Sequence, residues 1–166
     1  MSIFIIVMPR GIIVSVWDEI RGLDVKGKYP PDFSFTEDDL IKVFTTHATG
    51  EGEAGFLSMR LLGYKVASYY SGYVENEPQK FVTLVLELDE DPDIFQDILI
   101  DSAHSLFMAI DKENFQEVLR DAYNRIVRLA TMQLEQRLAL IFKDNVRRVI
   151  LQRLTEGPIL KSELTE

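Results

Sequence analysis

Residues 56–89, FLSMRLLGYKVASYYSGYVENEPQKFVTLVLELD, decide the fold of this chain. The stretch holds three runs rich in β-branched and aromatic residues, a composition typical of strands. The runs are residues 56–63, 64–73 and 80–89. Only a glycine and the segment VENEPQ separate them, and links this short join antiparallel neighbours. The stretch therefore predicts three consecutive antiparallel strands.

Two more apolar, β-branched runs precede it, SIFIIVM at 2–8 and GIIVSVWDEI at 11–20. The residues Pro9-Arg10-Gly11 between them have turn chemistry, which predicts a β-hairpin. The opening strand is apolar on both faces, so we expect it in the centre of the sheet, beside residues 80–89. Residues 21–35, RGLDVKGKYPPDFSF, show no period and contain proline and glycine, and they are predicted to form a loop.

Helical periodicity appears in three places. TEDDLIKVFTTHA at 36–48 predicts the first helix, with Thr36 as N-cap and acidic residues at the positive end of the helix dipole. Asp91-Pro92 is a start signal for the second helix, and Asp111 is the predicted cap of the third. The pattern continues through Ile141, and a break at 143–145 precedes a last helix.

The predicted order is β-β-α-β-β-β-α-α. This order predicts a fold of the α/β class, more narrowly α+β. We expect a five-stranded antiparallel sheet, helices on both of its faces and an extra C-terminal helix. The first helix is expected on one face of the sheet and the second and third on the other.

Composition excludes several kinds of site. The chain has 166 residues and no cysteine, which rules out a disulfide framework, a thiolate metal site and a cysteine nucleophile. Its net charge is −9, and residues 1–128 carry 12 Lys and Arg against 22 Asp and Glu. Such a balance disfavours nucleic-acid binding. No signal peptide or membrane span is recognised, so the sequence predicts a cytoplasmic protein.

Reactive constellations are also missing from the sequence. His47 and His104 lie far apart with no third ligand in view, and the pair His104 and Asp101 is expected to be an ordinary helix-surface contact. The acidic run at 87–97 lacks the spacing of a calcium loop, and GEGEAG at 50–55 lacks a phosphate-binding lysine. We therefore predict no catalytic residue, no metal, no cofactor and no enzymatic activity.

The element order resembles that of the longin-like domains of the SNARE-like superfamily. IFIIVMPRGIIVSVWDE at 3–19 is similar to their opening hairpin, and residues 61–95 are similar to their third to fifth strands with the start of the second helix. The resemblance covers residues 1–128 and leaves 129–166 as a helical extension. It implies a protein-interaction domain of the kind found in vesicle trafficking and small-GTPase regulation, with peripheral attachment to membranes through partners.

The last stretch, NVRRVILQRLTEGPILKSELTE at 145–166, resembles the start of an archaeal-type winged helix, with a turn at Gly157-Pro158. This resemblance implies an alternative function, a sensor or dimerisation domain of a winged-helix transcription regulator. A C-terminal helix followed by a simple tail remains equally open.

Binding is predicted in a groove between the first helix and the strand FLSMRLLG, which we expect at an exposed sheet edge. The candidate partner-binding residues are Lys42, Phe44, Leu57, Met59 and Leu61. The expected partners are a small GTPase or a helical or extended segment of another protein, and a homodimer is a further option. Specific nucleic-acid binding by this chain is not expected.

Overall fold

A computed structural model describes residues 8–132 and 145–155. The chain forms two compact units, Met1–Thr131 and Met132–Glu166. The first unit contains a sheet and three long helices. In the second unit the structure describes one helix, α4, at Asn145–Thr155. The longin-like and winged-helix interpretations of the two parts stay predictions.

The sheet of the first unit has five antiparallel strands in the order β2-β1-β5-β4-β3. The strands are β1 Gly11–Asp18, β2 Gly22–Tyr29, β3 Gly55–Leu61, β4 Tyr64–Tyr70 and β5 Gln79–Leu86. The predicted fold class is thereby confirmed, including the three consecutive strands of residues 56–89. FLSMRLLG does lie at an edge, as predicted. The central strand beside β5 is β1 at Gly11–Asp18, whereas the prediction placed the strand at 2–8 there.

Three helices cover the sheet. They are α1 Glu37–Ala48, α2 Gln96–Ala109 and α3 Phe115–Thr131, and a short 3-10 helix at Pro92–Phe95 precedes α2. Thr36 caps α1 as predicted, because its hydroxyl accepts a hydrogen bond from the Asp39 amide at 3.2 Å. Asp91 likewise caps the 3-10 helix. The prediction for Asp111 is wrong, because α3 begins four residues later.

The core has one layer on each face of the sheet. Alternate strand residues such as Ile13, Val66 and Phe81 are buried under α1. The intervening residues, such as Ile12 and Leu84, are buried under α2 and α3. This alternation follows from the two-residue period of a strand. The predicted distribution of helices over both faces is confirmed.

The predicted hairpin between 2–8 and 11–20 is wrong. β1 pairs with β2 along one edge and with β5 along the other, so neither edge is free for residues 2–8. The hairpin partner is β2, which lies within the predicted loop 21–35. Two local features explain why β2 was not recognised in the sequence. The Asp18 carboxylate accepts hydrogen bonds from the amides of Ile20 and Arg21 and closes the turn, and β2 itself is too polar to resemble a strand.

Several sequence predictions fall on residues outside the described ranges. They are the strand at 2–8, the helical pattern through Ile141, most of the break at 143–145, and the winged-helix turn with its following helix at 156–166.

Candidate partner-binding edge

Strand β3 is the candidate binding element. Within residues 8–132 it has a strand neighbour on one side only, β4, so the other side presents unpaired backbone amides and carbonyls. Its pairing with β4 is regular from Gly55 to Leu61 with no bulge. The strand carries a single charged residue, Arg60. A regular edge with so little charge is suited to pairing with another strand.

The opposite edge of the sheet is protected from pairing. Strand β2 carries Asp24, Lys26 and Lys28 within eight residues, and Lys26 forms an ion pair with Asp24 at 2.7 Å. The register of the β1–β2 pairing shifts between Val14 and Ser15, so a β-bulge interrupts this edge. Charges and bulges are the usual devices that prevent edge-to-edge association. The two edges of the sheet therefore differ, and within residues 8–132 β3 is the edge that lacks these devices.

A groove of about 400 Å³ runs between α1 and β3. It is lined by Ile41, Lys42, Thr45, Thr46, Thr49 and Met59. The hydroxyls of Thr45 and Thr46 donate to the carbonyls of Ile41 and Lys42 at 2.7 and 2.8 Å, inside the helix itself. Because those hydroxyls are already bonded, the surface that the groove offers to a partner is mostly apolar.

The structure places the predicted binding residues in different environments. Lys42 and Met59 line the groove, and Lys42 forms an ion pair with Asp39 at 2.9 Å. Leu57 and Leu61 are half-buried on the same face of β3 as Met59. Phe44 does not reach the groove, because only 7% of its surface is exposed.

Phe44 instead anchors α1 to the sheet. Its ring stacks on Trp17 with centroids 4.5 Å apart, and it also contacts Tyr70 and Phe81. A buried aromatic in this position contributes several kcal/mol through apolar burial. Phe44 thus keeps α1, and with it one wall of the groove, in a fixed position.

Sequence reasoning missed a polar contact under the same helix. His47 Nε2 lies 2.9 Å from Ser68 Oγ, and Ser68 donates its own proton to the Val82 carbonyl at 2.9 Å. Since the serine proton is already committed, His47 is the donor to Ser68 and carries its proton on Nε2. Burial lowers the pKa of His47 from 6.5 to about 4, so its ring is neutral at physiological pH.

The His47–Ser68 pair is positioned for structure rather than for nucleophilic chemistry. Ser68 has no exposed surface, and the His47 ring stacks on Tyr70, which is also buried. A nucleophilic hydroxyl must reach a substrate carbonyl and must pass its proton to the base, and Ser68 does neither. The one sequence signal for this contact was the position of His47 in the last turn of the predicted first helix.

Polar contacts at the other end of α1 fix its first turn. The Arg10 guanidinium binds both carboxylate oxygens of Glu87 at 2.6 and 2.7 Å and lies over the Tyr64 ring. Tyr64 donates a hydrogen bond to the Asp39 carboxylate. The contact with Arg10 lowers the pKa of Glu87. These contacts tie α1 to the ends of β4 and β5, so the groove is preformed.

The face of β3 turned toward α2 carries the half-buried Phe56 and the exposed Ser58 and Arg60. Phe56 is paired with Tyr69 of β4, and Tyr69 stacks on Phe107 of α2 with centroids 6.3 Å apart. His104 meets the edge of the same Tyr69 ring, while Asp101 binds Arg125. An added strand would therefore find apolar neighbours along the α1 face of β3 and, on the α2 face, beside Phe56.

Two statements hold for residues 8–132 and 145–155, the part of the chain that the structure describes. No group of three or more histidine or carboxylate side chains there is arranged to hold a metal ion. No helix there is long and apolar enough to cross a bilayer. A comparison of the chain with protein-family models finds no match, and neither does a comparison with curated proteins.

Proposed function

We propose that this chain is a non-enzymatic interaction domain that binds a protein partner by strand addition at β3. The observation that supports the proposal is the contrast between the two sheet edges. β2 is charged and bulged, whereas β3 is regular, nearly uncharged and bordered by an apolar groove. In strand addition, backbone hydrogen bonds supply affinity and the side-chain pockets beside the edge supply specificity.

The groove defines what the partner must contain. An extended segment paired with β3 directs alternate side chains toward α1, where Ile41 and Met59 offer an apolar surface. Lys42 lies at the same groove, but its ammonium group is already paired with Asp39, so the apolar surface is what the groove offers to the partner. The resemblance to longin-like domains adds the proposal that such a partner belongs to a trafficking or small-GTPase regulatory complex.

The test uses two lysine substitutions, one at each edge. Ser58→Lys places a charge in the middle of β3, where the side chain is exposed, and Val25→Lys does the same on the exposed side of β2. Both variants should keep the unfolding temperature of the wild type. Affinity capture from the native cell should lose its partner with Ser58→Lys and keep it with Val25→Lys.

Hydrogen exchange gives an independent measure on the captured complex. The outward amides of β3 should exchange quickly in the free protein and slowly in the complex, while the β2 amides should not change. Equal capture by both lysine variants, with no protection of β3, would remove the basis of the proposal.

A further inference from the structure

We infer that the strand that pairs with β3 is β3 of a second copy of this chain, running antiparallel about an axis through Ser58. The inference rests on the proposed function, since it names the partner of the same edge. It starts from the sequence of the strand, GFLSMRL at 55–61. This sequence is self-complementary in one antiparallel register.

In that register Ser58 lies opposite Ser58 of the second copy. Leu57 then lies opposite Met59, and Phe56 lies opposite Arg60. Paired residues in a sheet share a face, so each of these pairs projects to one side. The odd-numbered residues face α1 and the even-numbered residues face α2, as the contacts of Met59 and Phe56 show.

The side chains match on both faces. On the α1 face, Leu57 and Met59 of the two copies form an apolar pair at the rim of the groove, and both are half-buried already in the single chain. On the α2 face, the Arg60 guanidinium is opposite the Phe56 ring, and arginine over an aromatic face is a favourable contact. The twofold axis repeats each contact, so the interface closes on itself.

Charge selects the antiparallel arrangement. A parallel, in-register pair would place Arg60 directly beside Arg60 of the second copy, and like charges opposite each other are destabilising. In the antiparallel register the two arginines are four residues apart along the strand, about 13 Å. The seam contains no other charged residue of β3, so the large negative charge of the chain does not concentrate there.

A single-cysteine experiment tests the register, because the chain contains no cysteine of its own. Ser58→Cys brings two cysteines opposite each other, at a Cα separation of about 4.5–5.5 Å. That separation lies within the range a disulfide accepts. Arg60→Cys is the matched control, since it is exposed, on the same strand and on the same face, but the register keeps the two copies of residue 60 too far apart.

Charge pairs test the same axis without a covalent bond. Ser58→Lys and Ser58→Asp should each weaken dimerisation by about tenfold, because identical charges meet across the axis. Mixing the two variants should restore a dimer that contains one copy of each. Val25→Lys on the other edge should dimerise as the wild type does.

Sedimentation equilibrium of the wild type, together with oxidation of the cysteine variants, gives the result. The inference requires a wild-type dimer, fast cross-linking of Ser58→Cys, slow cross-linking of Arg60→Cys and recovery of the mixed charge pair. A wild type that stays monomeric up to millimolar concentration overturns it, and so does equal cross-linking of both cysteine variants. If the wild type is monomeric but still captures another protein through β3, the partner is not a second copy of this chain, and the proposed function still stands.

Discussion

Acidification should loosen the contact between α1 and the sheet, and His47 is the residue responsible. In the folded chain its imidazole donates to Ser68 and stacks on Tyr70, and burial lowers its pKa to about 4. In the unfolded chain the same imidazole has its ordinary pKa of 6.5. Between these two values the unfolded state binds more protons, so the free energy of unfolding falls as the pH is lowered.

The size of the effect follows from the two pKa values. Each pH unit between them is worth about 1.4 kcal/mol, so the full contribution is about 3 kcal/mol. Between about pH 7.5 and about pH 4.5, His47 should remove about 2.5 kcal/mol of stability. That is a large share of the total for a domain of ordinary stability.

Urea unfolding at several pH values measures this loss, and Trp17 is a natural probe. It is the only tryptophan of the chain, and it stacks on Phe44 of α1. Asp18 and Glu87 have lowered pKa values, so their protonation in acid also lowers the free energy of unfolding. The pH dependence of the wild type alone therefore does not give the contribution of His47. The comparison with His47→Gln does, because glutamine keeps an NH donor for Ser68 but does not titrate.

The wild type should lose about 2.5 kcal/mol more than His47→Gln over this pH range. His104→Gln is the matched control, since it removes the exposed histidine of α2. It should follow the wild type at every pH. If His47→Gln and the wild type lose the same amount of stability, the buried, neutral state assigned to His47 is wrong.

Three other predictions follow from the same structure. Phe44→Ala should lower the free energy of unfolding by about 3–5 kcal/mol, measured in urea, because it empties a site between Trp17 and Phe81; a loss below about 1 kcal/mol would mean that α1 is not anchored there. Glu90 is 6% exposed with one carboxylate oxygen unpaired, and burial raises its pKa, so its ionisation costs stability as the pH rises. Glu90→Gln should therefore gain stability relative to the wild type at neutral pH but not in acid, and a pH-independent difference would contradict this. Random duplex DNA should bind only weakly, on the order of 10⁻⁴ M at physiological salt, by fluorescence anisotropy at two salt concentrations. Sub-micromolar binding at the higher salt would favour the transcription-regulator alternative.

Local sequence signals were sufficient for much of the fold. Thr36 and Asp91 mark helix starts because their side chains accept hydrogen bonds from amides only two or three residues away. The strands β3, β4 and β5 have β-branched and aromatic compositions, with turns short enough to define their antiparallel pairing. Each of these signals depends on residues close together in the chain.

The errors had two causes, a polar strand that a local turn brings into the sheet and a contact between residues far apart in the chain. Residues 2–8 are more strand-like than β2, yet β2 occupies the edge of β1, because the Asp18 turn brings it there. Phe44 was predicted to bind a partner, but helical spacing alone does not separate a residue facing the groove from one facing the core. Phe44 is buried because it packs against Trp17, Tyr70 and Phe81, which come from three strands far from it in the sequence.

The sequence by itself determined the strand and helix segments of residues 36–131, because periodicity, capping and short links are local properties. The helices on both faces and the edge position of FLSMRLLG were predictions that the structure then confirmed. Only the tertiary structure decided which side chains line the groove and that a neutral His47 is hydrogen-bonded to Ser68. It also decided that, among the described residues, β2 is a charged and bulged edge and β3 is a regular one. These properties depend on residues far apart in the chain, and burial and pairing between such residues exist only after the sheet has formed.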